Sequence, residues 1–272
     1  MKSKAFAAIA LTLIFAAACQ PVATPPPQQT LQTEVQLQAS FLVPNALQEQ
    51  APASTMNYLI YFPKGYDQDS EKLWPMIFFL HGSGWEDNPS SYVMGYGLPE
   101  VLYKGDQPAD FPFIVVTPQA FPDTTWWTGN TLEVLIALVD EVIALYRVDA
   151  SRIYLTGLSM GGYGSWHLSS AYPDRFAAVV SVAGSGFGNV NPELTKLCAV
   201  ALTPLWAIHG EKDVISDPMA SKMFVVSLQS ECPEQEIRWS SYPDAGHGET
   251  YERAYRDPEM YIWMLEHTNL TE

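Results

Sequence analysis

Short continuous apolar runs closed by turn residues alternate along this chain with segments whose apolar positions recur every three or four residues. Runs of the first kind predict strands buried on both faces, and segments of the second kind predict helices laid across them. The clearest run is Trp74–Leu80, closed by His81 and Gly82, with others at 113–116, 153–156, 176–182, 204–208 and 237–242. Leu132, Leu135, Ile136, Val139, Val142, Ile143 and Tyr146 make a broad helical apolar face, and 162–172, 217–229 and 258–267 also read as helices. Residues 148–151 read as a turn. Near the start of the folded part, Val35, Leu37 and Ala39 alternate with polar residues, and 57–62 is a further strand. Strands and helices alternate through the second half. That order predicts a single α/β domain over 37–272, with a mostly parallel central sheet and helices on both faces. Only about 20 residues separate the strands at 176–182 and 204–208, so no large cap is expected and the site should be open.

The first residues follow a different logic. Lys2 and Lys4 precede an apolar run at 5–15 and the small residues Ala16, Ala17 and Ala18. This is the layout of an export signal over 1–18, too short to span a bilayer stably. Cys19 follows at once, and the pattern resembles the lipobox of bacterial lipoproteins, with Ala16 where that motif usually has Leu. The resemblance implies lipidation of Cys19, a cell-envelope lipoprotein, and, from Gln20 in place of Asp, the outer membrane or periplasm. Plain secretion after cleavage before Cys19 is the other reading. Residues 19–36, with Pro25, Pro26 and Pro27, cannot bury a core and read as a lipidated N-terminus and tether.

Composition narrows the partners. The chain has 14 basic and 30 acidic residues, a net charge of −16. No cluster of Lys or Arg exists to neutralise phosphates, which excludes a nucleic-acid partner. The charge serves solubility or steers a substrate. No Cys/His cluster has metal-ligand spacing, so neither a metal nor another cofactor is expected. Cys198 and Cys232 each precede a predicted strand, at the same end of the sheet. They form either a disulfide, which an exported chain would keep, or two buried thiols.

The chemistry centres on Gly157-Leu158-Ser159-Met160-Gly161, preceded by a strand and followed by a helix. That order is a nucleophile elbow, in which a sharp turn exposes a serine hydroxyl and its glycines let strand and helix approach. In a parallel sheet, functional groups gather at the C-terminal ends of strands. Asp213 follows the strand ending at 208, and His247 lies in a loop after the strand ending at 242. The expected set is Ser159 as nucleophile, His247 as base and Asp213 as the acid that orients it. Asp217 and Asp244 compete for the acid. His81, His167, His209 and His267 compete for the base, the first two and His209 read as packing groups and His267 as solvated. The backbone N–H groups of Met160 and Ser83 are the candidate oxyanion donors. Trp85, Trp126 and Trp127 are candidates for a substrate pocket, or for packing that anchors their loops.

The segments 80–84, 146–164, 209–213 and 242–247 resemble the α/β-hydrolase superfamily. More narrowly they resemble the bacterial carboxylesterase/phospholipase-like ("predicted peptidase") branch, near dienelactone hydrolases and feruloyl or acetylxylan esterases. The resemblance covers roughly 55–267. It implies an α/β-hydrolase fold and a serine carboxylesterase acting on small or polymer-linked esters through an acyl-enzyme, with membrane contact through the lipid anchor. Two alternatives stand. A serine peptidase of the prolyl-oligopeptidase type would want an N-terminal propeller, for which these residues leave no room. A non-catalytic hydrolase-fold binding lipoprotein would be expected to have lost a member of Ser159, Asp213 and His247. Lipidation has a direct test: Cys19→Ser should leave the expressed protein soluble and unlipidated, whereas continued membrane association would count against a lipid on Cys19.

Overall fold

The structure, a computed structural model, describes residues 34–86, 93–184, 198 and 203–269. The export signal at 1–18, Cys19 and most of the tether lie outside the described residues. So does nearly all of the connection at 183–203, on which the expectation of an uncapped site rested.

Eight strands form one sheet. In chain order they are β1 (Gln36–Leu42), β2 (Thr55–Tyr61), β3 (Trp74–Leu80), β4 (Ile114–Pro118), β5 (Val148–Leu158), β6 (Ala178–Val182), β7 (Leu205–Gly210) and β8 (Ile237–Tyr242). Across the sheet the order is β1-β2-β4-β3-β5-β6-β7-β8. Every neighbouring pair from β4 to β8 is parallel, while β1 and β2 join antiparallel at one edge. The described residues include seven α-helices. These are α1 (Asn45–Gln48), α2 (Gly97–Lys104), α3 (Thr131–Leu145), α4 (Met160–Ala171), α5 (Pro218–Glu231), α6 (His247–Ala254) and α7 (Pro258–Leu265).

The sheet is covered on both sides, and β3 shows why its sequence is apolar throughout: all seven residues are buried. Met76, Phe78 and Leu80 pack in one core with Val134 and Val139 of α3, Trp166 and Leu168 of α4, and Val225 and Leu228 of α5. Ile77 and Phe79 point the other way, into a second core with Leu98 and Val101 of α2 and Met260 and Met264 of α7. Each such side chain contributes roughly 1.5–3 kcal/mol on burial. Alternate residues of one strand therefore hold two helical layers in place.

Three differences from the sequence reading have physical causes. Residues 148–151 are the start of β5 rather than a turn. The Asp149 carboxylate still accepts hydrogen bonds from the amide and hydroxyl of Ser151, but it does so within the strand. The register against β3 shifts between Trp74 and Met76 beside this segment. Helix α2 went unrecognised because it is short and opens on Gly97 and Pro99. Helix α6 went unrecognised because its sequence, HGETYERA, is almost wholly polar and buries only Thr250 and Ala254.

A disulfide joins Cys198 to Cys232, which ends α5. The two lie 34 residues apart, a loop whose closure in the unfolded chain is entropically costly. Replacing both cysteines by serine should lower stability by about 2–4 kcal/mol. The check is urea denaturation of the double variant beside the wild type, the latter with and without reductant.

Candidate functional site

The elbow is built by close backbone approach. Ser159 caps the N-terminus of α4 with φ 52° and ψ −118°, a conformation costly for a residue with a Cβ. Its amide donates to the carbonyl of Val182 (2.9 Å), and its carbonyl accepts from Tyr163 in the first turn of α4 (3.1 Å). A Cβ on Gly161 would lie 1.9 Å from the carbonyl oxygen of Leu80, and one on Gly157 would lie 2.3 Å from that of Gly161. Only glycine lets the helix sit against the ends of β3 and β5, and that contact holds the serine at the tip of the turn.

Three side chains from separate strand ends meet there. The Ser159 hydroxyl is 2.9 Å from Nε2 of His247, and Nδ1 of His247 is 2.6 Å from Oδ2 of Asp213. A carboxylate only accepts, so Nδ1 carries the proton and Nε2 is left to accept from the serine. Oδ1 of Asp213 accepts from the amides of Ile215 (2.8 Å) and Ser216 (2.9 Å), an Asx-type turn that locks the carboxylate against its own loop. Burial raises the pKa of Asp213. The hydrogen bonds from His247 and the two amides outweigh it and hold the group below the usual aspartate value.

The competing acids are engaged elsewhere. Asp217 caps α5 by accepting from Met219, and Asp244 makes a two-pronged ion pair with Arg253 on the surface. His247 is not in a flexible loop, as its sequence suggested; it is the first residue of α6, and Tyr251 one turn on meets its ring edge-to-face at 5.8 Å. The sequence reading also missed that His209 reaches the same carboxylate, its Nε2 lying 3.0 Å from Oδ2 of Asp213. Its spacing four residues before the acid was the available signal.

Other candidates separate into site and scaffold. Burial pushes His81 down to about 4, so its ring is neutral. Its Nε2 accepts from the amide of Ala120, and its carbonyl accepts from Nε1 of Trp126, tying the ends of β3 and β4 together. Trp126 has 0 % exposure and packs on the His81 ring at 4.7 Å, so it anchors a loop and does not line a pocket. Trp127 stacks on His167 at 4.9 Å, beside Tyr163. Trp85 stacks on the half-exposed Tyr96 at 4.9 Å. His267 is paired with Glu236 at 3.0 Å and is not simply solvated.

Ser83 is exposed in the loop after β3. A Cβ on its neighbour Gly82 would lie 2.8 Å from Cδ1 of Leu158 and 3.5 Å from Cβ of Ser159, which sets this loop beside the elbow. The Met160 amide opens α4, where helical geometry supplies no internal acceptor. Further along the same edge, a cavity of about 260 Å³ is lined by Asn57, Glu86, Gln119 and Phe121 among others. Among the described residues, no group of three or more His, Cys, Asp or Glu side chains could hold a metal ion.

The description of the phospholipase/carboxylesterase family matches residues 92–255. A bifunctional acetylxylan esterase/xylanase of Neocallimastix patriciarum is 24% identical over 209 residues, 75% of this chain and 27% of that protein. The "Probable feruloyl esterase C" of Aspergillus terreus is 32% identical over 168 residues, 60% of this chain and 55% of that protein. The chain thus spans about a quarter to about half the length of these curated relatives. Among solved structures, a thermostable esterase superposes with a TM-score of 0.69 at 24% identity, covering 86% of this chain and 63% of that one. At that identity the likeness speaks to the α/β-hydrolase fold.

The elbow glycines can be tested as pure steric parts. Gly161→Ala should destabilise the protein by about 3 kcal/mol, because the Leu80 carbonyl it meets is backbone and cannot move aside. Gly84→Ala, whose Cβ meets nothing within 4 Å, should cost only about 1 kcal/mol for its positive φ. Equal losses in urea melts would contradict the steric account.

Proposed function

The chain belongs to the phospholipase/carboxylesterase family, and we propose that it is a serine esterase that hydrolyses carboxylic esters through an acyl-enzyme on Ser159. The observation that carries this is the continuous relay from the Ser159 hydroxyl to His247 (2.9 Å) and on to Asp213 (2.6 Å). A serine hydroxyl is a poor nucleophile until its proton is removed, and Nε2 of His247 is in line to remove it. Asp213 holds the imidazole in the required tautomer and balances the imidazolium that forms. The same histidine then returns the proton to the departing alkoxide, and in a second cycle it activates water to release the acid.

Attack on the ester carbonyl creates an oxyanion, which needs donors that are already oriented. The amide of Met160 at the start of α4 serves as one, and the amide of Ser83 in the loop packed against the elbow as the other. Trp127 and the exposed Tyr96, on which the buried Trp85 stacks, are the aromatic groups proposed to meet a substrate. Relatives named acetylxylan and feruloyl esterases support acetyl and feruloyl esters as the first substrates to examine.

Export, with a lipid anchor on Cys19, is part of the same reading. Its supports are the basic, apolar and small-residue order of 1–18 and the disulfide between Cys198 and Cys232, a bond that persists in oxidising compartments.

Ser159→Ala should fold normally by circular dichroism and lose about 10⁴-fold or more in kcat on p-nitrophenyl acetate. It should also stop reacting with a fluorophosphonate probe that labels the wild type. Ester hydrolysis close to wild type in the alanine variant would overturn the assignment.

A further inference from the structure

Resting on the reading of Ser159 and His247 as the reacting pair, we infer that His209 is a positioning residue for the reaction, its Nε2–H holding Oδ2 of Asp213 aimed at the His247 imidazole.

The protonation of His209 follows from its neighbours. Nε2 faces Oδ2 of Asp213 at 3.0 Å and the carbonyl of Ser216 at 3.1 Å. Both are acceptors without a proton, so Nε2 must carry one. On the other side of the ring, Nδ1 lies 2.8 Å from the Ser221 hydroxyl, whose one proton also faces the Gly184 carbonyl at 2.7 Å. Burial pushes the ring's pKa below the usual histidine value, beyond what the Asp213 carboxylate and the Ser216 carbonyl restore. The two acceptors facing Nε2 therefore make it a donor to Asp213, and burial favours the neutral ring.

Its location is as telling as its proton. The side chains of His209 and Asp213 are 1 % and 0 % exposed, so no water competes for the carboxylate. Asp213 then has four donors: two amides on Oδ1, and His247 and His209 on Oδ2. That fills the four lone-pair positions of a carboxylate and leaves it no rotation in which a bond is not lost. One imidazole ring also bridges three elements, since it stands next to last in β7, ties the carbonyl of Ser216 in the Asp213 loop, and meets Ser221 of α5. The other titratable groups facing this cluster are His247 and Tyr251, both on α6, and Tyr163 of α4, whose hydroxyl reaches Ser216. Burial holds Tyr251 above the ordinary phenol value, so it does not titrate where the enzyme works.

Removing the His209 proton donor has a sign. It concentrates negative charge on Oδ2, which favours the protonated, inactive form of the site, so activity should fail at a higher pH on the acid side. A purely structural histidine would change stability and leave the pH profile where it was.

The experiment compares wild type, His209→Phe and His209→Gln by kcat/KM against pH on p-nitrophenyl acetate, normalised to sites titrated with a fluorophosphonate. Phe keeps a planar ring without a donor, and Gln returns an N–H at a similar reach. Loss of a hydrogen bond to a charged group predicts about a 10- to 100-fold fall in kcat/KM for Phe, mostly in kcat, with its acid limb moved to higher pH. Gln should keep the wild-type limb. A Phe variant with the wild-type profile, or a Gln variant shifted as far as Phe, overturns the inference. Should Phe fail to fold, ¹⁵N-histidine NMR of the wild type decides: His209 protonated at Nε2 is expected, and protonation at Nδ1 alone overturns it. Ser159→Ala assayed beside these keeps the two ideas apart. If that variant stays active, the esterase reading fails; if it is dead while the His209 profiles are unchanged, only this inference fails.

Discussion

The contact that the rest of the candidate site depends on is the approach of helix α4 to the ends of β3 and β5. With Gly161 lying under the carbonyl of Leu80, the helix starts almost inside the sheet, and Ser159 is forced to a positive φ. The strain is local and of order 1–3 kcal/mol, and it persists because the flanking core determines the backbone on both sides. Val182 and Tyr163 complete the grip by bonding the serine's own amide and carbonyl. The direction of Ser159 is thus set by backbone packing and not by its side chain.

A second constraint acts on the partner groups. Asp213 leaves β7 in a tight turn that bonds its own carboxylate, while His247 begins a helix after β8. A buried carboxylate is expensive unless its acceptor sites are filled. Here two amides and two imidazoles fill them. In the proposed mechanism, the charge that His247 needs is therefore present before any substrate arrives, which is the condition for electrostatic preorganisation. His81 and Trp126 have a quieter part: they pin the loop after β3 to the loop after β4, next to the elbow.

Much of this was legible in the chain. The strand at 74–80, the helices near 131–145, 160–171, 218–231 and 258–265, and the parallel order followed from apolar spacing, because burial on one or two faces leaves a periodic mark. Ser159, Asp213 and His247 could be chosen because strand ends are where a parallel sheet exposes function. Other features left no such mark. Helix α6 is too polar to have an apolar period, and 148–151 carried turn chemistry inside a strand. For Trp126 the sequence left a pocket role and a loop-anchoring role both open, and only the folded chain shows its indole donating to the carbonyl of His81.

The sequence by itself determined the fold class, the elbow and the order of its chemical groups, since each rests on local periodicity or on glycines that steric contact demands. Only the tertiary structure decided which carboxylate and which histidines meet. Asp213, Asp217 and Asp244 are equivalent as letters, and differ in that one faces His247 and His209, one caps a helix and one pairs with Arg253. The physical reason is range. Periodicity reports what a residue buries against its own element, whereas hydrogen bonds between residues 88 or 34 positions apart exist only once the sheet has brought their strand ends together.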